Sequence, residues 1–347
     1  MFDPALIRSL TGTPMRVRCA VLPSLLSPTA SVPAAEGWAA LHVTLHNAGS
    51  AGHGEATLPP TMDAYGPAVL RDQLADARDG LERMISPAEL SGLLPPGPLR
   101  SALDSALWDL LAKRSGARAW ELLGMPPPRP VPAIRTVPLV APDLLEDELR
   151  AGAGFASLKL KLGAGDVADD ITRLTAVRRL RPDAWLMTDA DGTWDVDRLH
   201  TMLPILQAHD VRLLEQPLPQ AQSGALATLR RPFPIITDLA YGAGGDLGRL
   251  GAHYDGINLK LDAVGGLTAA LGILEQAGQR GLVVLLGSPP ATALSCAAAL
   301  HAAPGADYVG LPRWLRAPGH RTPGPRGLDG LEGEGGTLVP PSPSVWG

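Results

Sequence analysis

Cysteine is nearly missing from this sequence, with two in 347 residues, Cys19 and Cys296. They stand far apart and make no metal-binding or disulfide spacing, which fits a reducing, cytoplasmic compartment. Basic clusters and basic tails are missing as well. With 30 Lys and Arg against 35 Asp and Glu, the formal net charge is −5, so nucleic acid and anionic membrane are poor partners. No apolar run reaches membrane-spanning length; the strongest, GLVVLLG from Gly281 to Gly287, reads as a buried strand. The start, MFDPALIRSLTG, lacks a basic stretch followed by an apolar one, so no signal peptide is expected. No glycine-rich phosphate loop follows a first βα strand either, which disfavours an open dinucleotide-binding sheet.

What is present divides at about residue 130. Before it, MRVRCAVL and GWAALHVTLHNAG read as antiparallel strands, the second ending at Asn47 to Gly49, with His53 and Glu55 assigned to a hairpin turn. Helical patterns follow at Ala68 to Met84 and Pro98 to Gly116. In the second, Ala102, Leu103, Ala106, Leu107, Leu110 and Leu111 form one apolar stripe, and Gly116 is a natural C-terminal stop. GMPPPRPVP then breaks the chain. From Val131, short apolar strands alternate with helical stretches: Ile134 to Val140, Ser157 to Lys161, Trp185 to Asp189, Val211 to Glu215, Ile235 to Asp238, Gly256 to Lys260, Val283 to Gly287 and Tyr308 to Leu311. Eight βα units predict an α/β fold of the (β/α)₈ barrel type over residues 131–316, after an α+β domain over 1–130. The Gly- and Pro-rich tail, 317–347, includes GTLVPPSP, a candidate edge strand for the first domain.

The charged residues at the strand ends carry the functional signal. Lys161, Asp189, Glu215, Asp238 and Lys260 end five consecutive strands, and active groups of barrels gather at C-terminal strand ends. Three crowded carboxylates call for a cation, and an all-oxygen donor set selects Mg²⁺ or Mn²⁺. Lys159 shares the inward face with Lys161, and its charge is expected to lower the Lys161 pKa toward that of a working base. A lysine base would remove a proton alpha to a carboxylate, with the metal stabilising the enediolate. A second lysine opposite could return the proton and invert the carbon, while one-base elimination or cycloisomerisation could use the same parts. Lys260 taken singly also suits a Schiff-base aldolase.

At these residues the chain resembles the enolase superfamily, in its muconate lactonizing enzyme branch of dipeptide epimerases, N-acylamino acid racemases and o-succinylbenzoate synthases. LKLKLG matches the branch's K-x-K strand, LMTDADGTW its D-A-N strand, LLEQP its E-Q-P strand and INLKLDAVGGL its lysine strand with Gly-Gly. GHGEA, SALDSALWDLLAKRSG and WELLG extend the likeness through the first domain. The resemblance implies that Asp189, Glu215 and Asp238 are metal ligands, that Lys161 and Lys260 are the acid/base pair with Lys159 assisting, and that the first domain caps the barrel with the tail returning to it. It implies a small-molecule carboxylate substrate and a racemase or epimerase, with a one-base cycloisomerase or dehydratase, or a metal-binding barrel without catalysis, as the alternatives; a homo-oligomer stays open. Four positions depart from the branch: Asp191 replaces an asparagine, Asp238-Leu239-Ala240 replaces D-E-S, LLGSPPAT lacks a glutamate, and Gly310-Leu311-Pro312 replaces the D-x-D that holds a substrate ammonium.

The lid loop of that branch corresponds to VLPSLLSPTASVPAA, Val21 to Ala35, which carries no charge. Leu22, Leu25 and Leu26 offer apolar contact there. A lid of this kind rejects charge, because a buried unpaired charge costs several kcal/mol. The substrate is therefore expected to be an N-acylated amino acid, a dipeptide-like compound or an apolar carboxylic acid. No histidine is expected in the chemistry; Trp108, Trp120 and Trp185 read as packing residues, and Trp194 as a candidate for the pocket wall.

Overall fold

The computed structural model describes residues 15–22, 39–59, 65–83, 85–239, 247–289, 291–310, 331, 334–342 and 346–347. Most of the lid segment, Ala240 and the Leu311-Pro312 pair lie outside these.

Strands β1 (Arg16–Leu22), β2 (Ala39–Asn47) and β3 (Ser50–Leu58) form an antiparallel sheet in that order. The turn between β2 and β3 sits at Ala48 and Gly49, both at positive φ. His53 and Glu55 therefore lie within β3 rather than in a turn. The expectation failed because Gly52 and Gly54 read as turn glycines, whereas here they let a helix approach. A Cβ on Gly54 would stand 2.0 Å from the Ala102 carbonyl oxygen, and one on Gly52 2.2 Å from that of Ala106. Helix α1 spans Pro67–Glu82. The approaching helix is α2 (Pro98–Ser115), closed by Gly116 in the left-handed conformation. Its single predicted stripe proves too narrow, because every residue from Pro98 to Ala112 is buried.

The second sheet has eight strands, all parallel between bonded neighbours. After the two-residue β4 (Val131–Pro132) come β5 (Ile134–Val137), β6 (Ser157–Lys161), β7 (Trp185–Asp189), β8 (Val211–Glu215), β9 (Ile235–Asp238), β10 (Gly256–Lys260), β11 (Val283–Gly287) and β12 (Tyr308–Gly310). Their spatial order follows the sequence, and β12 lies against β5, closing the barrel. The first strand stops three residues short of its predicted end, where Pro138 withholds a ladder donor. Helices α3 (Pro142–Ala151), α4 (Val167–Leu180), α5 (Val196–Ala208), α6 (Leu267–Gln279) and α7 (Ala293–Ala302) cover the outside.

Alternation along the strands sorts the side chains. Ile134, Met187, Leu213, Ile236 and Leu285 fill the barrel interior, with the Trp185 and Tyr308 rings packed toward its N-terminal end, 4.8 Å apart and tilted by 31°. Leu158, Leu160, Leu186 and Leu214 join an outer core with the covering helices. The tail returns to the first domain's side of the molecule: β13 (Thr337–Leu338) pairs antiparallel with β4, and Trp346 is fully buried, donating from Nε1 to the Ser105 carbonyl of α2. Among the described residues no helix is long and apolar enough to cross a membrane.

Candidate active site

The interior plugs one end of the barrel with apolar side chains, so polar groups enter only at the strands' C-terminal ends. The parallel register sets them side by side: Lys161 faces Asp189, Asp189 faces Glu215, and on the far side Asp238 pairs with Asn258 and Lys260 with Gly287. Lys159, one layer deeper, places Nζ 3.1 Å from Asp189 Oδ2 and 2.9 Å from Glu215 Oε2. Lys161 Nζ stands 2.8 Å from the same Asp189 oxygen and 3.5 Å from Asp191 Oδ2. Across the mouth Lys260 Nζ donates to Asp238 Oδ2 at 2.5 Å. All six residues singled out in the sequence thus meet in one place.

Their ionisation follows from burial and pairing. Burial pushes the Asp189 carboxyl up, but the Lys159 and Lys161 charges outweigh it and hold it well below the usual carboxylate range. Glu215 moves the other way, raised by burial and then by the neighbouring Asp189 charge, against the pull of Lys159. Two carboxylates around one ammonium do not share it equally. For Lys159, burial favours the neutral amine, yet Glu215 and Asp189 overcome it and raise the pKa. Lys161 is raised as well. Burial lowers it most, and Lys159 lowers it further, but Asp189, Asp191 and Glu215 together prevail. Lys159 thus lowers Lys161 as expected, but the expected net shift toward a working base is overturned, because the Asp189, Asp191 and Glu215 charges outweigh it.

No group of three acid, histidine or thiol side chains among the described residues is arranged to hold an ion as it stands; lysine ammonium groups tie the carboxylates instead. The donor set nonetheless fits a hard divalent cation. Asp189, Glu215 and Asp238 supply oxygen alone, Asp238 Oδ1 is buried without a hydrogen-bond partner, and the Lys159 ammonium between Asp189 and Glu215 marks where positive charge is favoured.

The structure adds residues that the sequence reading left without roles. Asn258 is fully buried and donates from Nδ2 to Glu215 Oε1 at 2.6 Å. It lies two residues before Lys260, on the same face, so strand alternation was the available signal. A Cβ on Gly287 would stand 2.1 Å from Asn258 Oδ1, which explains that glycine. Gln216, at φ +40, accepts from Thr237 Oγ1 and from the Asp238 N–H, steadying the end of β9. Trp194 does not line the pocket. It is buried in the outer core, where Nε1 donates to Asp170 Oδ2 at 3.0 Å. Trp108 packs as expected and donates from Nε1 to Thr268.

A family model described as enolase C-terminal domain-like matches residues 144–341. The chain belongs to the enolase C-terminal domain-like family. Among its relatives in this enolase group, the L-Ala-D/L-Glu epimerase of Escherichia coli (strain K12) is 34% identical over 277 residues, covering 79% of this chain and 85% of that one. Among solved structures, an enolase family member from Agrobacterium tumefaciens with homology to dipeptide epimerases, bound to sodium and L-Ala-L-Glu, aligns at TM-score 0.82 and 30% identity, over 96% of this chain and 99% of that one. A dipeptide epimerase from Methylococcus capsulatus, complexed with Mg and L-Arg-D-Lys, aligns at TM-score 0.78 and 25% identity, over 97% and 99%. The superfamily resemblance read from the motifs is borne out, as is the barrel with a separate antiparallel sheet.

Proposed function

We propose that this chain is a Mg²⁺-dependent racemase or epimerase that moves the proton alpha to a carboxylate. The observation that carries the reading is the placement of two lysines. Lys161 on β6 and Lys260 on β10 face each other across the mouth, with β7, β8 and β9 and their carboxylates between them. That arrangement suits removal of a proton from one face of a carbon and its return to the other.

Asp189, Glu215 and Asp238 would hold the cation, Mg²⁺ with Mn²⁺ as the alternative. Its charge would offset the negative charge that grows on the substrate carboxylate as the proton leaves. Once Asp189 and Glu215 act as ligands, their charge no longer favours the protonated form of Lys161, and a neutral amine there becomes accessible. Lys161 Nζ would then take the proton from one enantiomer while Lys260 Nζ returns one, with the roles exchanged for the other enantiomer. Lys159 would remain charged and assist. Asn258, donating to Glu215, keeps one carboxylate oxygen oriented.

The substrate would carry one carboxylate and an uncharged, largely apolar remainder: an N-acylated amino acid, a dipeptide-like compound or an apolar carboxylic acid. The lid segment Val21 to Ala35 contains no charge, and Gly310-Leu311-Pro312 offers no anion for a free ammonium. A panel of such compounds incubated in D₂O with Mg²⁺ tests both parts. Alpha-deuterium incorporation with inversion is expected, lost from one enantiomer in Lys161→Ala and from the other in Lys260→Ala. Full turnover in Lys260→Ala would refute two-base inversion. Best exchange with free-amine acidic dipeptides such as L-Ala-L-Glu would refute the substrate class.

A further inference from the structure

The two lysines are held by different parts of the molecule. Behind Lys161 the chain is fixed from within the barrel. Leu162 N–H donates to the Asp189 carbonyl, Gly163 N–H to Asp170 of α4, and Arg173 of α4 to the Lys161 carbonyl. Behind Lys260, residues 261–268 are gripped by the N-terminal domain. Buried Asp262 accepts the Thr57 N–H of β3 at 2.9 Å and the Ser101 hydroxyl of α2 at 3.1 Å. Arg100 of α2 donates to the carbonyls of Val264 (2.6 Å) and Gly265 (3.3 Å). Asp104, one helical turn on, accepts the Thr268 N–H at 3.1 Å and its hydroxyl at 2.5 Å.

The Gly-Gly pair after the lysine strand belongs to the same grip. Gly265 and Gly266 sit at φ +93 and +113; a Cβ on the first would stand 2.1 Å from Arg100 Nε, and one on the second 2.6 Å from Asp104 Cβ. Side chains of α2 fill the space that side chains here would need. The neighbouring strand offers little polar support beyond Asp238, because the fifth strand continues with Leu239.

We infer that the N-terminal domain positions one lysine of the pair: Asp262, with Arg100 and Asp104, sets the placement of Lys260, while the barrel alone sets Lys161. Asp262 is a positioning residue, since it acts through the backbone two residues away. The inference rests on the two-lysine reading above, and its test separates the two.

Asp262→Ala, and the milder Ser101→Ala, are compared with the wild-type chain in two assays. The first is amine labelling with an imidoester, followed residue by residue by mass spectrometry, which needs no turnover. Lys260 is expected to label faster in both variants, more so in Asp262→Ala, with Lys161 unchanged. The second is D₂O exchange from each enantiomer. Misplacement by about 1 Å costs on the order of 10²-fold in rate. Exchange from the enantiomer that depends on Lys260 is therefore expected to fall about tenfold or more, and exchange from the other to change less than about twofold. Equal changes at both lysines, equal losses from both enantiomers, or no change at all would overturn the inference. A wild-type chain that exchanges neither enantiomer would sink the racemase reading, and the labelling ratio would then decide the positioning role by itself.

Discussion

Asp104 contributes stability that is lost as pH rises, against the usual behaviour of a paired carboxylate. It is buried between α2 and the Thr268 turn, and burial pushes its carboxyl from 3.8 to about 7, despite the hydrogen bonds from Thr268 and Leu267 and the nearby Arg100 charge. An acid whose pKa is higher folded than unfolded binds more protons in the folded state. At pH 5 the folded Asp104 holds a proton that the unfolded chain has mostly lost, and raising the pH to 8 strips it. At ~1.4 kcal/mol per pKa unit, the roughly two units from pH 5 to the folded pKa correspond to ~3 kcal/mol of lost stability. Asp262, raised by burial to about 6, acts in the same direction and adds ~1 kcal/mol. Such a loss is a sizeable share of the ~5–15 kcal/mol that holds a domain together. Asp104→Asn keeps an oxygen acceptor for the Thr268 N–H and cannot ionise, so it should lose ~3 kcal/mol less than the wild type between pH 5 and pH 8. Urea unfolding at pH 5, 6, 7 and 8, in EDTA, measures it. Buried His301, lowered to about 4, works the opposite way below about pH 6.5, so the difference between the two chains is what decides, and an Asp104→Asn curve parallel to the wild type would refute the reasoning.

Mg²⁺ should raise the melting temperature, with ~2.7 kcal/mol of stabilisation at a hundredfold excess over the dissociation constant. Asp238→Asn and Glu215→Gln should each abolish that rise, and an undiminished response in both would refute the ligand assignment. Packing gives a contrasting pair of glycines. Gly54→Ala drives a Cβ to 2.0 Å from the Ala102 carbonyl oxygen and should cost ~1–3 kcal/mol or more. Gly272→Ala on the exposed side of α6 meets nothing within 4 Å and should stabilise by ~0.5–1 kcal/mol. Denaturant midpoints that move alike for the two variants would contradict this.

Much of the barrel was legible because parallel strands buried on both faces announce themselves as short apolar runs, and helix patterns separate them. Six of the eight strands match their predicted bounds from Ser157 to Gly287. The site was legible for the same reason: a charge at the end of an apolar strand has nowhere to point but the mouth. The first domain was harder to read. Gly52 and Gly54 look like turn residues, and only the approach of α2 shows that they are close-packing residues in a strand. The α2 stripe also misleads, since Arg100, Asp104 and Asp109 look like a solvated face and are buried.

Which residues would meet was legible without coordinates, because period-two alternation and strand order place Lys161, Asp189, Glu215, Asp238 and Lys260 around one rim whatever the details of packing. What they do to one another depends on the folded geometry. The direction of the Lys161 pKa depends on Asp189 Oδ2 lying 2.8 Å away while Lys159 binds the same oxygen. Charge interactions vary with distance and burial, which spacing along a chain does not fix. The partner of residues 261–268 was likewise hidden, since Asp262 meets Thr57 and Ser101 across gaps of 205 and 161 residues. Such contacts exist only once two separately patterned units have folded against each other.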